Sequence, residues 1–152
     1  MVLVLGLVVV MGWEYRQFRK KQIRLQTPIG AGWETRVNDG YNPERLKFKL
    51  GDGQVVKAAM AGRIDYAGET MRQTEKALNI QIGDPATKTT VSYLLAPGAQ
   101  IRVREGQKVA AGETVAVVPE GSSGLTCLGG ANVGVTLVKD GVIRQLTEKD
   151  FL

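Results

Sequence analysis

The chain contains no histidine and only one cysteine, Cys127, among its 152 residues. The lack of histidine removes the commonest general base and the commonest transition-metal ligand of proteins. A single cysteine excludes an intramolecular disulfide and a cysteine-ligated zinc site. Because no cluster of basic residues surrounds Cys127 in the sequence, we expect a small buried apolar residue there rather than a reactive thiol.

Charge is absent from the start of the chain, since residues 1–13, MVLVLGLVVVMGW, contain no charged side chain. A helix of this length spans about 20 Å, whereas the hydrocarbon core of a bilayer is about 30 Å thick. We therefore predict a transmembrane helix over residues 1–18, with the basic side chains at its end reaching the headgroups. A cleaved signal peptide and a buried apolar segment are the alternatives, although the run lacks the preceding basic residues and the cleavage site of a signal peptide.

Basic residues follow the apolar run and none precedes it. The positive-inside rule therefore predicts a single-pass protein of the inner, cytoplasmic-type membrane whose C-terminal domain lies on the cytoplasmic side. The extracytoplasmic side is the alternative. Residues 25–152 are nearly neutral, so the basic run indicates contact with membrane lipids and no nucleic-acid partner. The membrane-interface residues that we predict are Trp13, Tyr15, Arg16, Arg19, Lys20, Lys21 and Arg24.

Glycine, in contrast, is abundant, with 19 residues. We predict a basic juxtamembrane segment and linker over residues 19–45, since this stretch is basic and then rich in Gly, Pro, Asn and Asp. Residues 46–152 show short alternating strands separated by glycine turns, which predicts one mainly β domain of the sandwich or barrel type. Hairpin loops are expected at residues 84–88, DPATK, and at residues 139–141, KDG. Only residues 70–77, TMRQTEKA, have a weak helical pattern.

Three stretches occur in the order and spacing of a known family. They are GQVVKAAMAGRIDYAG at 53–68, VSYLLAPGAQIRVREGQKVAAGETVAVV at 91–118 and GGANVGVTLVKDG at 129–141. Together they resemble the lysostaphin/LytM-type (M23-like) zinc endopeptidase domain over residues 53–152. The segment EGQKVAAGETVAVV alone also resembles biotinyl and lipoyl carrier domains, but the Met-Lys hairpin that would carry their cofactor is missing.

The resemblance implies where zinc and its histidines would lie, and this chain departs from the family at each place. The family's zinc-binding His-x-x-x-Asp motif falls at Pro43 and Lys47, and its His-x-His pair falls at Asn132 and Gly134. The histidine of its Tyr-Ala-His-Leu strand falls at Leu95, after a retained Tyr93. Pro, Lys and Gly side chains cannot supply the imidazole and carboxylate ligands of zinc, and Leu and Asn cannot carry out histidine proton transfers.

We therefore expect a family scaffold without zinc, cofactor or catalysis. The expected function is that of a membrane-anchored scaffold or accessory subunit that binds protein partners in a membrane protein complex. The alternatives are an extracytoplasmic regulator of cell-wall hydrolases and an auxiliary subunit of a respiratory or photosynthetic membrane complex.

In the family fold the lost positions converge on one groove. The resemblance thus makes Lys47, Tyr93, Leu95, Asn132 and Gly134 a candidate partner groove, because their mixture of apolar and polar groups can bury an anchor and offer hydrogen bonds. The alternative is a closed groove, with Leu95 packed into the core and Asn132 bonded to backbone.

Overall fold

A computed structural model of the protein describes residues 25–40 and 42–151. These residues form ten β-strands and three one-turn 3-10 helices, the latter at Trp33–Thr35, Thr126–Leu128 and Glu148–Asp150. The strands are β1 (Leu46–Phe48), β2 (Val55–Lys57), β3 (Gly62–Arg72), β4 (Glu75–Asp84), β5 (Thr89–Leu95), β6 (Gln100–Ile101), β7 (Lys108–Val109), β8 (Thr114–Val117), β9 (Val133–Lys139) and β10 (Val142–Arg144). The predicted mainly β fold is confirmed.

The described residues contain no helix of the length and apolarity that crossing a bilayer requires. The predicted transmembrane helix, residues 1–18, and all seven predicted membrane-interface residues lie outside the described residues. Both therefore stay predictions.

The strands form two antiparallel sheets. Seven belong to a large sheet of order β1-β9-β5-β4-β3-β7, in which β10 also pairs with β9. The other three form a small sheet of order β2-β8-β6. The β4–β5 and β5–β9 ladders run the length of β5 and form the centre of the large sheet.

The main hydrophobic core joins the two sheets. Val56 and Val115 of the small sheet belong to the same buried cluster as Ile80, Tyr93 and Val135 of the large one. We call the face of the large sheet that contributes to this core its inner face, and the opposite face its outer face. Because side chains alternate between faces along a strand, each residue of β1, β9, β5 and β4 can be placed on one or the other.

The structure corrects two sequence predictions about elements. Residues 70–77 are not helical: they form the end of β3, a turn and the start of β4, with Gln73 in the left-handed region at φ 57°. The predicted linker, residues 19–45, is not a linker along its whole length. Leu25 and Ile29, which lie within it, are buried in the main core. Leu25 also forms a parallel bridge with Phe151, so two apolar residues at opposite ends of the described chain meet.

Both predicted hairpin loops are confirmed. Residues 85–88 connect β4 to β5, and the carboxylate of Asp84 at the end of β4 accepts hydrogen bonds from the backbone of Ala86 and the hydroxyl of Thr87. Asp140 and Gly141 connect β9 to β10 with φ angles of 52° and 76°. Two successive positive φ angles are what a tight hairpin turn requires, and Asp-Gly suits them.

Candidate functional site

Four of the five residues of the candidate partner groove lie in strands of the large sheet, and they are divided between its two faces. Tyr93 and Leu95 contribute to the main core on the inner face, where each is 0% exposed. Gly134 is the register neighbour of both Lys47 on β1 and Leu94 on β5, so these three residues share the outer face. The prediction that all five residues share one groove is therefore corrected.

Leu94, which motif spacing does not single out, is the β5 residue beside Gly134. It belongs to a second, smaller apolar cluster on the outer face, separate from the main core that holds Leu95. Strand alternation was the available signal: Tyr93 and Leu95 must share a face, so the residue between them must face the other way. The expected position of the histidine on β5 thus needs to be shifted by one residue.

Tyr93 ties the two sheets together. Its hydroxyl donates to the carbonyl of Lys57, the last residue of β2, at 2.9 Å and accepts from the N–H of Ala59 at 2.8 Å. Complete burial raises the pKa of Tyr93 well above its ordinary value. The side chain is a neutral structural link at physiological pH.

A loop covers the outer face where the family resemblance places an open groove. We call residues 121–131 the covering segment. Its Leu125, Leu128 and Ala131 are buried in one cluster with the outer-face residues Ala77, Leu94 and Ala96. The segment folds back on itself through a hydrogen bond from the N–H of Leu125 to the carbonyl of Ala131 at 2.9 Å.

Gly134 allows this closure because it has no side chain. A Cβ atom at residue 134 would lie 2.9 Å from Cδ2 of Leu128 and 3.0 Å from Cδ of Arg45. Both distances are shorter than ordinary van der Waals contact, which begins at about 3.5 Å between carbon atoms. Leu128 therefore occupies the space that a histidine at residue 134 would need.

Asn132 uses both of its side-chain polar atoms to hold the backbone. Its Oδ1 accepts from the N–H of Leu50 and its Nδ2 donates to the carbonyl of Leu50, each at 2.8 Å. The residue is only 3% exposed. This matches the closed alternative for Asn132, in which the amide is satisfied by backbone.

Lys47 places a buried positive charge where the resemblance expects an aspartate ligand. It is 2% exposed, and its Nζ donates to Oδ1 of Asp39 at 2.7 Å. Asp39 lies against the covering segment, since a Cβ atom on Gly129 would lie 2.2 Å from Oδ2 of Asp39. A buried ammonium group needs such a compensating carboxylate, so the Lys47–Asp39 pair neutralises the charge at this end of the outer face.

Pro43, the remaining expected ligand position, is exposed in a turn that a hydrogen bond from the N–H of Arg45 to the carbonyl of Asn42 closes at 3.0 Å. Among residues 25–40 and 42–151, no three His, Cys, Asp or Glu side chains come together as a metal site. The side chains on the outer face pack together, form an ion pair and make hydrogen bonds to the backbone. They include no imidazole that could bind a transition metal.

A cavity of about 400 Å³ lies beside the covering segment, at the tip of the β3–β4 hairpin. Sequence motifs do not predict this cavity, because its residues come from separate parts of the chain. The lining residues are Asn42, Arg45, Arg72, Gln73, Thr74, Glu75, Thr126 and Cys127. Burial, followed by the neighbouring Glu75, raises the pKa of Cys127, so its thiol is protonated at neutral pH.

Comparison with solved structures identifies the fold. A Pseudomonas aeruginosa protein assigned to peptidase family M23 superposes with a TM-score of 0.58 at 16% identity, covering 78% of this chain and 46% of that protein. Lysostaphin superposes with a TM-score of 0.50 at 17% identity, covering 83% of this chain and 46% of lysostaphin. A one-residue variant of the catalytic domain of EnpA, a prophage-encoded M23 protein of Enterococcus faecalis, gives 0.52 at 22% identity, covering 78% and 89% of the two chains.

These similarities show that the described residues have the fold of M23 peptidase domains, as the sequence resemblance implied. The chain spans less than half the length of the Pseudomonas protein and of lysostaphin. No protein-family profile and no curated protein sequence matches the chain.

Proposed function

We propose, from the M23-peptidase fold that this chain shares, that it is a non-catalytic, membrane-anchored accessory subunit. Its β-domain binds protein partners within a membrane protein complex. The membrane anchor in this proposal is the predicted helix over residues 1–18, together with the basic residues between Arg16 and Arg24.

The observation that carries the proposal is the way in which the former zinc position is filled. Leu128 occupies the space above Gly134, and Lys47 forms an ion pair with Asp39. Asn132 is bonded to the backbone of Leu50 through both polar atoms. Loss of ligands alone would leave an open groove with missing side chains, whereas here each replacement packs against or bonds to neighbouring residues. Such mutual support is expected of a scaffold that is maintained for its stability and its surface rather than for chemistry.

Partner binding is supported by the surface that remains. Val142 and Ile143 on β10, together with Met71 at the tip of the β3–β4 hairpin, are each more than half exposed. Large exposed apolar side chains are enriched in interface cores. They lie on strands, which hold them more rigidly than loops do.

Affinity capture from native membranes tests the proposal. The full chain, tagged after Leu152, is extracted in mild detergent and captured beside an unrelated single-span protein with the same tag and expression level. We expect a partner at a fixed ratio to the chain, and the tagged partner should capture the chain in return. Equal recovery with the control, or peptide-bond cleavage of peptidoglycan by the purified chain, would contradict the proposal.

A further inference from the structure

The cavity at the tip of the β3–β4 hairpin has two guanidinium groups on its walls. Arg72 ends β3 and Arg45 precedes β1. These two strands are separated by three others in the large sheet, so the arginines reach the cavity from different ends of the strand order. The remaining lining residues other than Glu75 and Cys127 are neutral and polar: Asn42, Gln73, Thr74 and Thr126. Such walls suit a small polar or charged group better than an apolar ligand.

Arg45 is half-buried and its charge is poorly compensated. Its Nε donates to the neutral hydroxyl oxygen of Thr136 at 3.3 Å. Within the described part of the chain, no carboxylate lies within 4.0 Å of the Arg45 or Arg72 guanidinium. Burial, followed by repulsion from Arg72, lowers the pKa of Arg45 below its ordinary value. An anion bound between the two guanidinium groups would compensate for the burial of the Arg45 charge and for the repulsion between the two arginines.

Among the described residues, Glu75 is the one carboxylate that lines the cavity, and its oxygens already accept hydrogen bonds. Its Oε2 accepts from the N–H of Thr126 at 3.0 Å, and its Oε1 accepts from the N–H of Cys127 at 3.4 Å. Those bonds attach the hairpin to the covering segment. Glu75 therefore contributes charge to the cavity without pairing with either arginine.

The charge of the lining residues selects the kind of anion. Two arginines and one glutamate carry a formal charge of +1, since the Cys127 thiol is protonated. One carboxylate brings the cavity to neutrality, whereas a phosphate group with a charge of about −1.5 to −2 would leave it negative beside Glu75. Arginine also binds planar carboxylates through two parallel hydrogen bonds.

We propose that this cavity is a carboxylate-binding subsite that receives an acidic side chain of a protein partner. The inference rests on the proposed function, because it names the chemistry by which the domain recognises its partner. The covering segment closes the adjacent outer face, so the cavity accepts a side chain at its mouth rather than an extended chain along the sheet.

Titration of the full chain in detergent micelles, followed by the backbone amide signals of Thr126 and Cys127, tests the proposal. The probe is the peptide acetyl-Gly-Glu-Gly-amide, and its glutamine counterpart, sodium acetate and inorganic phosphate are titrated in parallel. We expect saturable shifts with the glutamate peptide, no saturation with the glutamine peptide, and weaker binding of acetate and phosphate.

Arg45→Gln and Arg72→Gln should each weaken binding of the glutamate peptide about tenfold, the usual effect of losing one charge-assisted hydrogen bond. Arg104→Gln, which removes an exposed arginine of another loop, should leave binding unchanged. Arg72 is exposed, so its variant keeps the test valid if Arg45→Gln fails to fold.

Unchanged binding in Arg72→Gln, or equal binding of the two peptides, would overturn the subsite. Tighter binding of phosphate would overturn its assignment to a carboxylate, and equal binding of acetate would overturn its assignment to a protein side chain. Each of these results can occur while the chain still lacks zinc and captures a partner, so failure of the subsite is distinguishable from failure of the proposed function.

Discussion

At the scale of single residues, the absence of a side chain at Gly134 and the position of Leu128 depend on each other. The Leu128 side chain is fully buried over the sheet, at the distance where a Cβ atom on residue 134 would collide with it. Histidine at residue 134 and leucine over the sheet are therefore mutually exclusive in this fold. The glycine at residue 134 and the covered outer face thus depend on the same contact.

Gly134→Ala should consequently destabilise the protein by about 1–3 kcal/mol, the usual cost of overpacking a filled core. Gly68→Ala is the matched control, since a Cβ atom there would meet only the Tyr66 side chain, at 3.4 Å. Thermal or urea unfolding measures both. In a Leu128→Ala background the Gly134→Ala change should cost clearly less, because contacting residues are not additive; equal costs in both backgrounds would contradict the contact.

Tyr93 gives a second residue-scale prediction. Tyr93→Phe leaves the N–H of Ala59 and the carbonyl of Lys57 without their buried partner, which should lower the free energy of unfolding by about 1–3 kcal/mol. Tyr66→Phe is the control, because the Tyr66 hydroxyl bonds to the carbonyl of Glu69 at an exposed site. Urea unfolding of the two variants should show a loss for Tyr93 alone, and similar losses would argue against the link between the sheets.

The positions that belong to the candidate site can largely be predicted from the sequence. The face of the sheet on which each side chain lies is harder to predict. Motif spacing locates Lys47, Asn132 and Gly134, which all lie under or beside the covering segment. Strand alternation shows that Leu94 and Leu95 lie on opposite faces, but only the register of β5 against β9 shows that Leu94 is the one beside Gly134. Asp39 and Arg45 are also missed, since their contacts depend on how a loop folds over the sheet.

At the scale of elements, the covering segment and the β3–β4 hairpin are joined by Glu75. The N–H bonds from Thr126 and Cys127 lower the pKa of Glu75 below its ordinary value. A carboxylate with a depressed folded-state pKa contributes stability above its unfolded-state pKa, and the contribution disappears as pH falls through the folded-state value. The attachment between hairpin and segment should therefore loosen only in acid.

The amide chemical shifts of Thr126 and Cys127 should accordingly titrate with a midpoint below 4.5, the ordinary value for a glutamate carboxyl. Glu75→Gln should abolish this titration, whereas Glu105→Gln, at an exposed turn, should leave it intact. A midpoint at or above the ordinary value would show that these two N–H groups do not hold the carboxylate.

The hairpin also shows where local sequence is a poor guide to elements. Residues 70–77 contain good helix formers, yet they lie in a ladder that pairs Arg72 with Glu75 and continues through Gly68 opposite Asn79. Pairing along such a long ladder outweighs helix propensities of a few tenths of a kcal/mol per residue. Turns that need a special backbone, such as Asp140–Gly141, are predictable because few residues accept positive φ.

At the scale of the whole molecule, the mainly β architecture follows from alternation and glycine turns, but the assignment of strands to two sheets does not. Local patterns cannot show that β2, β6 and β8 separate into a small sheet. They also cannot show that Leu25 and Ile29 pack into the core, since apolar residues within a polar, Gly- and Pro-containing stretch are typical of linkers as well. Long-range contacts decide both.

Orientation in the membrane is the first whole-molecule prediction. Glu105→Cys in a Cys127→Ser background places one thiol on an exposed turn of the β-domain. A membrane-impermeant thiol reagent should label it only after spheroplasts are opened, because the basic run that ends at Arg24 favours the cytoplasmic side by roughly 1 kcal/mol per residue near an anionic leaflet. Labelling of intact spheroplasts would place the domain outside and favour a regulator of cell-wall hydrolases.

Zinc content tests the central claim, a peptidase fold without its metal chemistry, most directly. The purified full chain is dialysed against zinc and then against metal-free buffer, and the metal is measured by elemental analysis beside a zinc-binding M23 domain treated in the same way. With no histidine in the chain, Lys47 in an ion pair and Leu128 over Gly134, we predict zinc far below one ion per chain. Close to one tightly bound zinc ion per chain would contradict the account.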